Sequence, residues 1–268
     1  MSRPRVHLPT LMLRLAVAIA LAAGSSLVAS GAHAESVVLD AADGVRVHGE
    51  VWRAAAAKAP IVVAFHQAES STAEYAPIAP RLVAAGFTVL AIDQRSGDGA
   101  FGGSNRTAAA LGRKAGYDEA LPDLEAALAW AKAEAHGAPV VVWGSSYSAA
   151  LVFLLAAAHP ADVAGVIAFS PGEYLNDEHA VRAAAAKVTV PVYIDQAASA
   201  EEIARAAAIL EAVKSKDKHQ LRALGPSTHG SSTLRADRNA AGTEAHWQGV
   251  LAFLARFAPG AAQARPAQ

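Results

Sequence analysis

The sequence predicts an α/β domain: a mostly parallel, doubly wound sheet of eight strands with helices on both faces and an antiparallel hairpin at its N-terminal end. Three observations carry this expectation. From residue 61 onward, short runs of Val, Ile, Leu, Ala and Phe alternate with longer Ala- and Leu-rich helical segments. Strands that are apolar throughout belong to a sheet covered on both faces. Before residue 61, two alternating runs flank Asp43-Gly44, a turn dipeptide that joins antiparallel strands. The third observation is size: 268 residues, 53% apolar and 18% charged, supply one large core and exclude a disordered chain.

Taken in order, the hairpin strands are expected over 36–39 and 45–52. The first parallel strand, 61–65, reads Ile-Val-Val-Ala-Phe and leads to a helix over 75–85. Further strands are expected over 87–92, 140–143, 163–169, 190–194 and 220–224, each bounded by turn residues or by the next helical run. The matching helices are 119–135, 147–158, 178–187, 200–214 and 243–257. Between 94 and 116 lies the longest stretch without strong periodicity, with Gly97, Gly99, Gly102, Gly103 and Gly112, as in loops that carry function. The segments between elements are too short for a large lid domain, and no linker divides the chain. The expected organisation is therefore a leader over 1–34, one domain over 35–258 and a flexible tail over 259–268.

The leader follows from its pattern. Arg3, Arg5 and Arg14 precede an apolar stretch that ends at Ala32-His33-Ala34, a small-x-small cleavage site. Gly24, Ser25, Ser26, Ser30 and Gly31 interrupt the run short of the roughly twenty clean residues of a membrane span. Cleavage there sends the protein to the periplasm or the medium and leaves no stable membrane anchor. It also leaves 20 basic residues against 24 acidic ones, a net charge of −4, where the whole chain carries −1. No basic field remains to hold a nucleic acid. The absence of cysteine excludes disulfides, thiolate metal sites, a cysteine nucleophile and lipoprotein acylation.

The chemistry concentrates at Val140-Val141-Val142-Trp143-Gly144-Ser145-Ser146-Tyr147-Ser148, a buried strand that runs directly into a helix. That context is what a nucleophile elbow requires: Gly144 accepts the tight turn and Ser146 stands at its apex. The pattern is G-x-S-x-S, Ser148 replacing the last glycine of G-x-S-x-G. A histidine to activate the serine is offered by Pro226-Ser227-Thr228-His229-Gly230, after the last strand. His48, His136, His159, His179, His219 and His246 read better as solvated histidines.

On these residues, and on His66-Gln67 after the strand at 61–65, the chain resembles the α/β-hydrolases, in particular the dienelactone-hydrolase-like serine hydrolases, over nearly all of 36–257. The resemblance implies the α/β-hydrolase fold, a Ser, acid, His triad in that order, an oxyanion hole, and no metal or organic cofactor. Ser146 and His229 match the nucleophile and the base. The acid belongs after the strand at 190–194, where Glu201 is the first choice and Glu202 and Asp195 stay open; Glu202 also fits a capping box with Ser199. Glu173, after the preceding strand, is a fourth choice. Backbone N–H groups of Tyr147 and Gln67 would form the oxyanion hole, each worth about 3 kcal/mol in comparable sites, with His66 supporting from behind. Asp93-Gln94-Arg95-Ser96-Gly97 resembles the family's Asp-x-Arg-x-Gly turn, where an ion pair is expected. Asn105-Arg106-Thr107 matches a glycosylation acceptor, a triplet too common to carry weight. The implied substrate is a small carboxylic ester or lactone. Peptides or amides stay open, as does a binding protein that keeps the fold without the chemistry.

Overall fold

A computed structural model describes residues 33–222 and 225–258. All but the last two residues of the expected leader, and the tail over 259–268, lie outside the described residues. Eight strands form one sheet: β1 (Ala34–Asp40), β2 (Arg46–Trp52), β3 (Ile61–Phe65), β4 (Thr88–Ile92), β5 (Val140–Ser145), β6 (Gly165–Phe169), β7 (Val192–Asp195) and β8 (Lys218–Gln220). Their order is β1-β2-β4-β3-β5-β6-β7-β8. β2 runs antiparallel to β1 and to β4, and every other pairing is parallel. From β3 the chain crosses to β4 on one side and to β5 on the other. This is the switch point at which doubly wound sheets open a crevice beyond the strand ends.

Alternate residues of β3 to β7 serve two cores, which is why these strands read as unbroken apolar runs. Val63 and Phe65 pack with helices α3 (Leu121–Ala135), α4 (Tyr147–Ala158), α5 (Ala180–Ala185) and α6 (Ala200–Ala212). Val62 and Ala64 face the other way, with Leu82 of α1 (Ala79–Ala84) and, after the short α7 (Ala236–Asn239), Trp247, Val250 and Phe253 of α8 (Thr243–Leu254). No separate lid domain stands over the sheet among the described residues. No described helix is long and apolar enough to cross a membrane.

The structure departs from the sequence reading in three places. The helix expected over 75–85 is split into a 3-10 turn, Thr72–Glu74, and α1, which starts late because Pro80 occupies its first turn. The loop over 94–116 contains a short helix, α2 (Arg106–Leu111), capped by the Asn105 side chain and closed by Gly112 in the left-handed region at φ 70°. The last strand lies at Lys218–Gln220 rather than 220–224: it is an edge strand whose partly exposed, polar residues hide it from a search for apolar runs.

Candidate active site

At the end of β5 the chain turns sharply into α4, and Ser146 takes φ 58° and ψ −120°. A non-glycine residue holds this backbone only where its surroundings over-determine it. Here the Ser146 N–H donates to the Phe169 carbonyl at 2.8 Å, and α4 locks the other side. The turn brings helix and strand so close that a Cβ on Gly144 would lie 2.2 Å from the Ser148 carbonyl oxygen. Glycine is needed here for close approach. Ser148, in the place of the pattern's last glycine, donates from Oγ to the His66 carbonyl at 2.6 Å and accepts from Gln94 Nε2 at 2.6 Å. The departure from the pattern is thus a bonded, buried hydroxyl.

The turn raises the Ser146 hydroxyl toward the His229 loop. His229 Nε2 lies 2.8 Å from Ser146 Oγ, and Nδ1 lies 2.8 Å from Glu202 Oε1. The structure therefore brings Glu202, not Glu201, to the histidine. Residues 201 and 202 sit about 100° apart around α6, so only one can face the loop: Glu201 points to solvent and pairs with Arg205. The capping box is half realised. Ser199 Oγ accepts the Glu202 N–H at 3.2 Å, but the Glu202 carboxylate takes the Ala197 N–H at 3.1 Å and leaves its other oxygen for His229. Burial alone would raise the Glu202 carboxyl. The His229 bond, the Ser170 hydroxyl, the imidazole's charge and the Ala197 N–H outweigh it and hold the group down to about 2.

Two other carboxylates considered for the acid lie elsewhere. Glu173 accepts from the Val181 and Arg182 N–H groups at the start of α5. Asp195, at the end of β7, faces His246 of α8, whose Nδ1 is 2.8 Å from Oδ2. His246 is not solvated: both members of that pair are fully buried.

At the oxyanion side, Tyr147 is the first residue of α4, so its N–H is free of the helix ladder. The Gln67 N–H is occupied, donating to Glu74 Oε2 at 2.7 Å, which corrects its expected place as the second donor. The next amide, Ala68, is oriented by its own peptide unit. The Gln67 carbonyl accepts from His66 Nδ1 at 2.7 Å, and in a trans peptide the Ala68 N–H points the opposite way. His66 Nε2 accepts from the Gln94 N–H at 3.0 Å, with Asn105 Nδ2 at 3.2 Å. Burial pushes its pKa down to about 4, which matches a neutral ring that donates from Nδ1 and accepts at Nε2.

The Asp-x-Arg-x-Gly turn is a bracket under the site. Arg95 pairs with Asp123 at 2.7 Å and with Asp43, while Asp93 accepts from the Thr72 N–H at 2.8 Å and from Arg106. A Cβ on Gly97 would fall 2.1 Å from Asn105 Nδ2, so this loop too needs glycine for close approach. Asn105 is itself buried and spends its amide on Ser70, Gln94 and His66. A cavity of about 720 Å³ lies under this loop, with Ser96, Asn105 and Lys114 in its wall. Ser96 Oγ is 2.7 Å from the Tyr147 hydroxyl, but neither Ser146 nor His229 lines that space.

Three residues about the centre were not singled out by the sequence: Glu74, Ser170 and, through its backbone N–H, Ala68. Ser170, at φ 51°, accepts the Gly230 N–H at 2.9 Å and its hydroxyl helps to lower the Glu202 carboxyl, and only its place directly after an apolar strand hints at it. Glu74 is a single acid before an apolar helix, with no pattern around it.

Residues 56–233 match the family model described as serine aminopeptidase, S33, and the chain belongs to this family within the α/β-hydrolase superfamily. No curated protein sequence matches the chain significantly. Among solved structures it is similar to an esterase from Pyrococcus furiosus, with TM-score 0.64, 19% identity, and 84% of this chain and 93% of that chain covered. It is also similar to a thermostable carboxyl esterase from Bacillus coagulans, with TM-score 0.64, 12% identity, and 84% and 98% covered. A dienelactone hydrolase from Anabaena variabilis gives TM-score 0.64, 18% identity, and 84% and 98% covered. At these identities the likeness establishes the shared fold.

Proposed function

We propose that the protein is an exported serine hydrolase that cleaves a small carboxylic ester or lactone through Ser146, His229 and Glu202. The observation that carries this reading is the Ser146–His229–Glu202 chain, two contacts of 2.8 Å with the serine on a strained turn. Ser146 Oγ attacks the acyl carbonyl and passes its proton to His229 Nε2. Glu202 holds the ring in the Nδ1–H form and balances the imidazolium charge. The Tyr147 and Ala68 N–H groups face the oxyanion of the tetrahedral intermediate. The imidazolium then protonates the leaving alcohol, and water, deprotonated by the same ring, releases the acid.

Export rests on the leader pattern over 1–34, and the hydrolase domain takes in residues 35–258. An amide or peptide substrate is a second reading, supported by the family's description as aminopeptidases. Against a binding protein that keeps the fold without the chemistry stands the Glu202 carboxylate, 2.8 Å from His229 Nδ1. The test is to treat the purified protein with a fluorophosphonate and map the adduct, beside a heat-denatured control, then to assay p-nitrophenyl esters, lactones and aminoacyl anilides. A native-only adduct on Ser146 with ester turnover is the expected result. Absence of an adduct in folded protein would sink the hydrolase reading, and turnover of anilides alone would replace ester by amide.

A further inference from the structure

We propose that Glu74 is a positioning residue that ties together the three loops of the reaction centre, an inference that rests on the hydrolase reading above. Glu74 closes the 3-10 turn Thr72–Glu74 and is fully buried. No Lys, Arg or His among the described residues forms an ion pair with its carboxylate. Arg235 comes near but gives its hydrogen bonds to the Ala73 and Glu74 carbonyls and to Asp237. A buried carboxylate without a counter-ion is costly, and its two oxygens are both used.

Oε2 accepts the Gln67 N–H at 2.7 Å and Oε1 accepts the Ser145 hydroxyl at 2.7 Å. That hydroxyl in turn accepts the Ser231 N–H at 2.8 Å. Each of the three partners adjoins a reacting group: Gln67 precedes Ala68, Ser145 precedes Ser146, and Ser231 lies two residues after His229. One carboxylate thus ties the oxyanion loop, the elbow and the histidine loop into one chain of hydrogen bonds. The Gln67 backbone is held at both ends, its N–H by Glu74 and its carbonyl by His66, so the peptide that presents the Ala68 N–H has no freedom to turn. The space is closed against extension: a Cβ on Gly230 would meet Ser145 Oγ at 2.6 Å and Gln67 Oε1 at 2.7 Å. A carboxylate suits this place because both partners are donors. An amide can accept at only one of its two ends. Burial pushes the Glu74 carboxyl up to about 7 against the pull of the Gln67 N–H, the Ser145 hydroxyl, Arg235 and His229, so it is ionised above neutral pH.

The test compares the wild type with Glu74→Gln in two measurements: the second-order rate of fluorophosphonate labelling at Ser146, with the fraction finally labelled, and kcat and KM on p-nitrophenyl butyrate. A misplaced oxyanion loop should slow labelling and kcat by about 10- to 100-fold, with KM held within about threefold and labelling still reaching completion. A merely structural role would lower the labelled fraction and leave the rate of the folded remainder unchanged, and that result overturns the proposal. If Glu74→Gln does not fold, Ser145→Ala carries the test. It keeps the Gln67 bond, cuts the link to Ser231, and is expected to slow labelling several-fold; a wild-type rate there overturns the proposal equally. Wild-type protein that is folded yet not labelled at Ser146 would defeat the hydrolase reading itself.

Discussion

Glu202–His229 and Asp195–His246 are two histidine–carboxylate pairs joined at the same distance, 2.8 Å from Nδ1 to the nearest carboxylate oxygen. Their surroundings differ in what meets the far side of each ring. His229 Nε2 faces Ser146 Oγ at 2.8 Å, and its side chain is 42% exposed. His246 Nε2 is buried and has no hydrogen-bond partner, and its carboxylate is also held by the Tyr193 hydroxyl at 3.2 Å and the Gln196 N–H at 2.8 Å. The difference teaches that an oriented imidazole is not by itself a reaction centre. What lies beyond Nε2 matters as much, and the elbow places a hydroxyl there for only one of the two pairs.

The contrast can be broken most severely at the nucleophile. Ser146→Ala should lower kcat by about 10⁴-fold or more without moving the midpoint of thermal unfolding. Residual turnover near the wild-type rate would remove Ser146 from the mechanism. Glu202→Gln comes next, with an expected fall of about 10³- to 10⁴-fold in kcat as the ring loses its tautomer and its counter-charge. Both variants are read by steady-state kinetics.

In the buried pair the effect should appear in stability instead. His246→Ala leaves the Asp195 carboxylate buried without its partner, and chemical denaturation should register a loss of about 3–5 kcal/mol. The rate of fluorophosphonate labelling in the protein that stays folded should be unchanged; a rate loss would make the two pairs alike after all. The Glu74 carboxyl adds a pH dependence. Its folded pKa of about 7 exceeds its ordinary value of 4.5, so the native state binds more protons between those values. That contribution to stability is fully present below about pH 4.5 and is lost as pH rises through 7, amounting to roughly 3 kcal/mol. Glu74→Gln should flatten the pH dependence of unfolding over this window, and an unchanged slope would assign it to another group. Facing Glu74 are Tyr75, Arg235 and His229. The smallest effect is expected at Glu201→Gln. Its pairing with Arg205 is an exposed contact one helical turn apart, so stability should shift within about 0.5 kcal/mol, and kcat should not change.

The parallel strands were legible because burial on two faces makes them uniformly apolar, as in Ile61–Phe65 and Gly165–Phe169. The same reasoning misplaces β8, since an edge strand with partial exposure tolerates Lys218, His219 and Gln220. Helix α2 was hidden inside a glycine-rich segment, although Asn105 and Gly112 are the cap residues such a helix needs. At the site, the elbow is local: strand, turn and helix are contiguous in sequence, and Ser146 stands where the pattern puts it. The acid is not local. Adjacent residues 201 and 202 have the same chemistry and both follow β7, and their separation around α6 decides which one reaches the histidine loop.

Composition and periodicity by themselves determined the two-faced sheet, the order of its elements and the strained turn at Ser146, because each of these depends on side chains within a few residues or on a repeated pattern of burial. Tertiary structure decided which carboxylate meets His229, that the Gln67 N–H is taken by Glu74, that Ser148 bonds His66, and that Asp195 belongs to His246. Those choices depend on hydrogen bonds between residues from 7 to 83 positions apart, whose angstrom-scale geometry is set by how helices and loops pack at the switch point of the sheet.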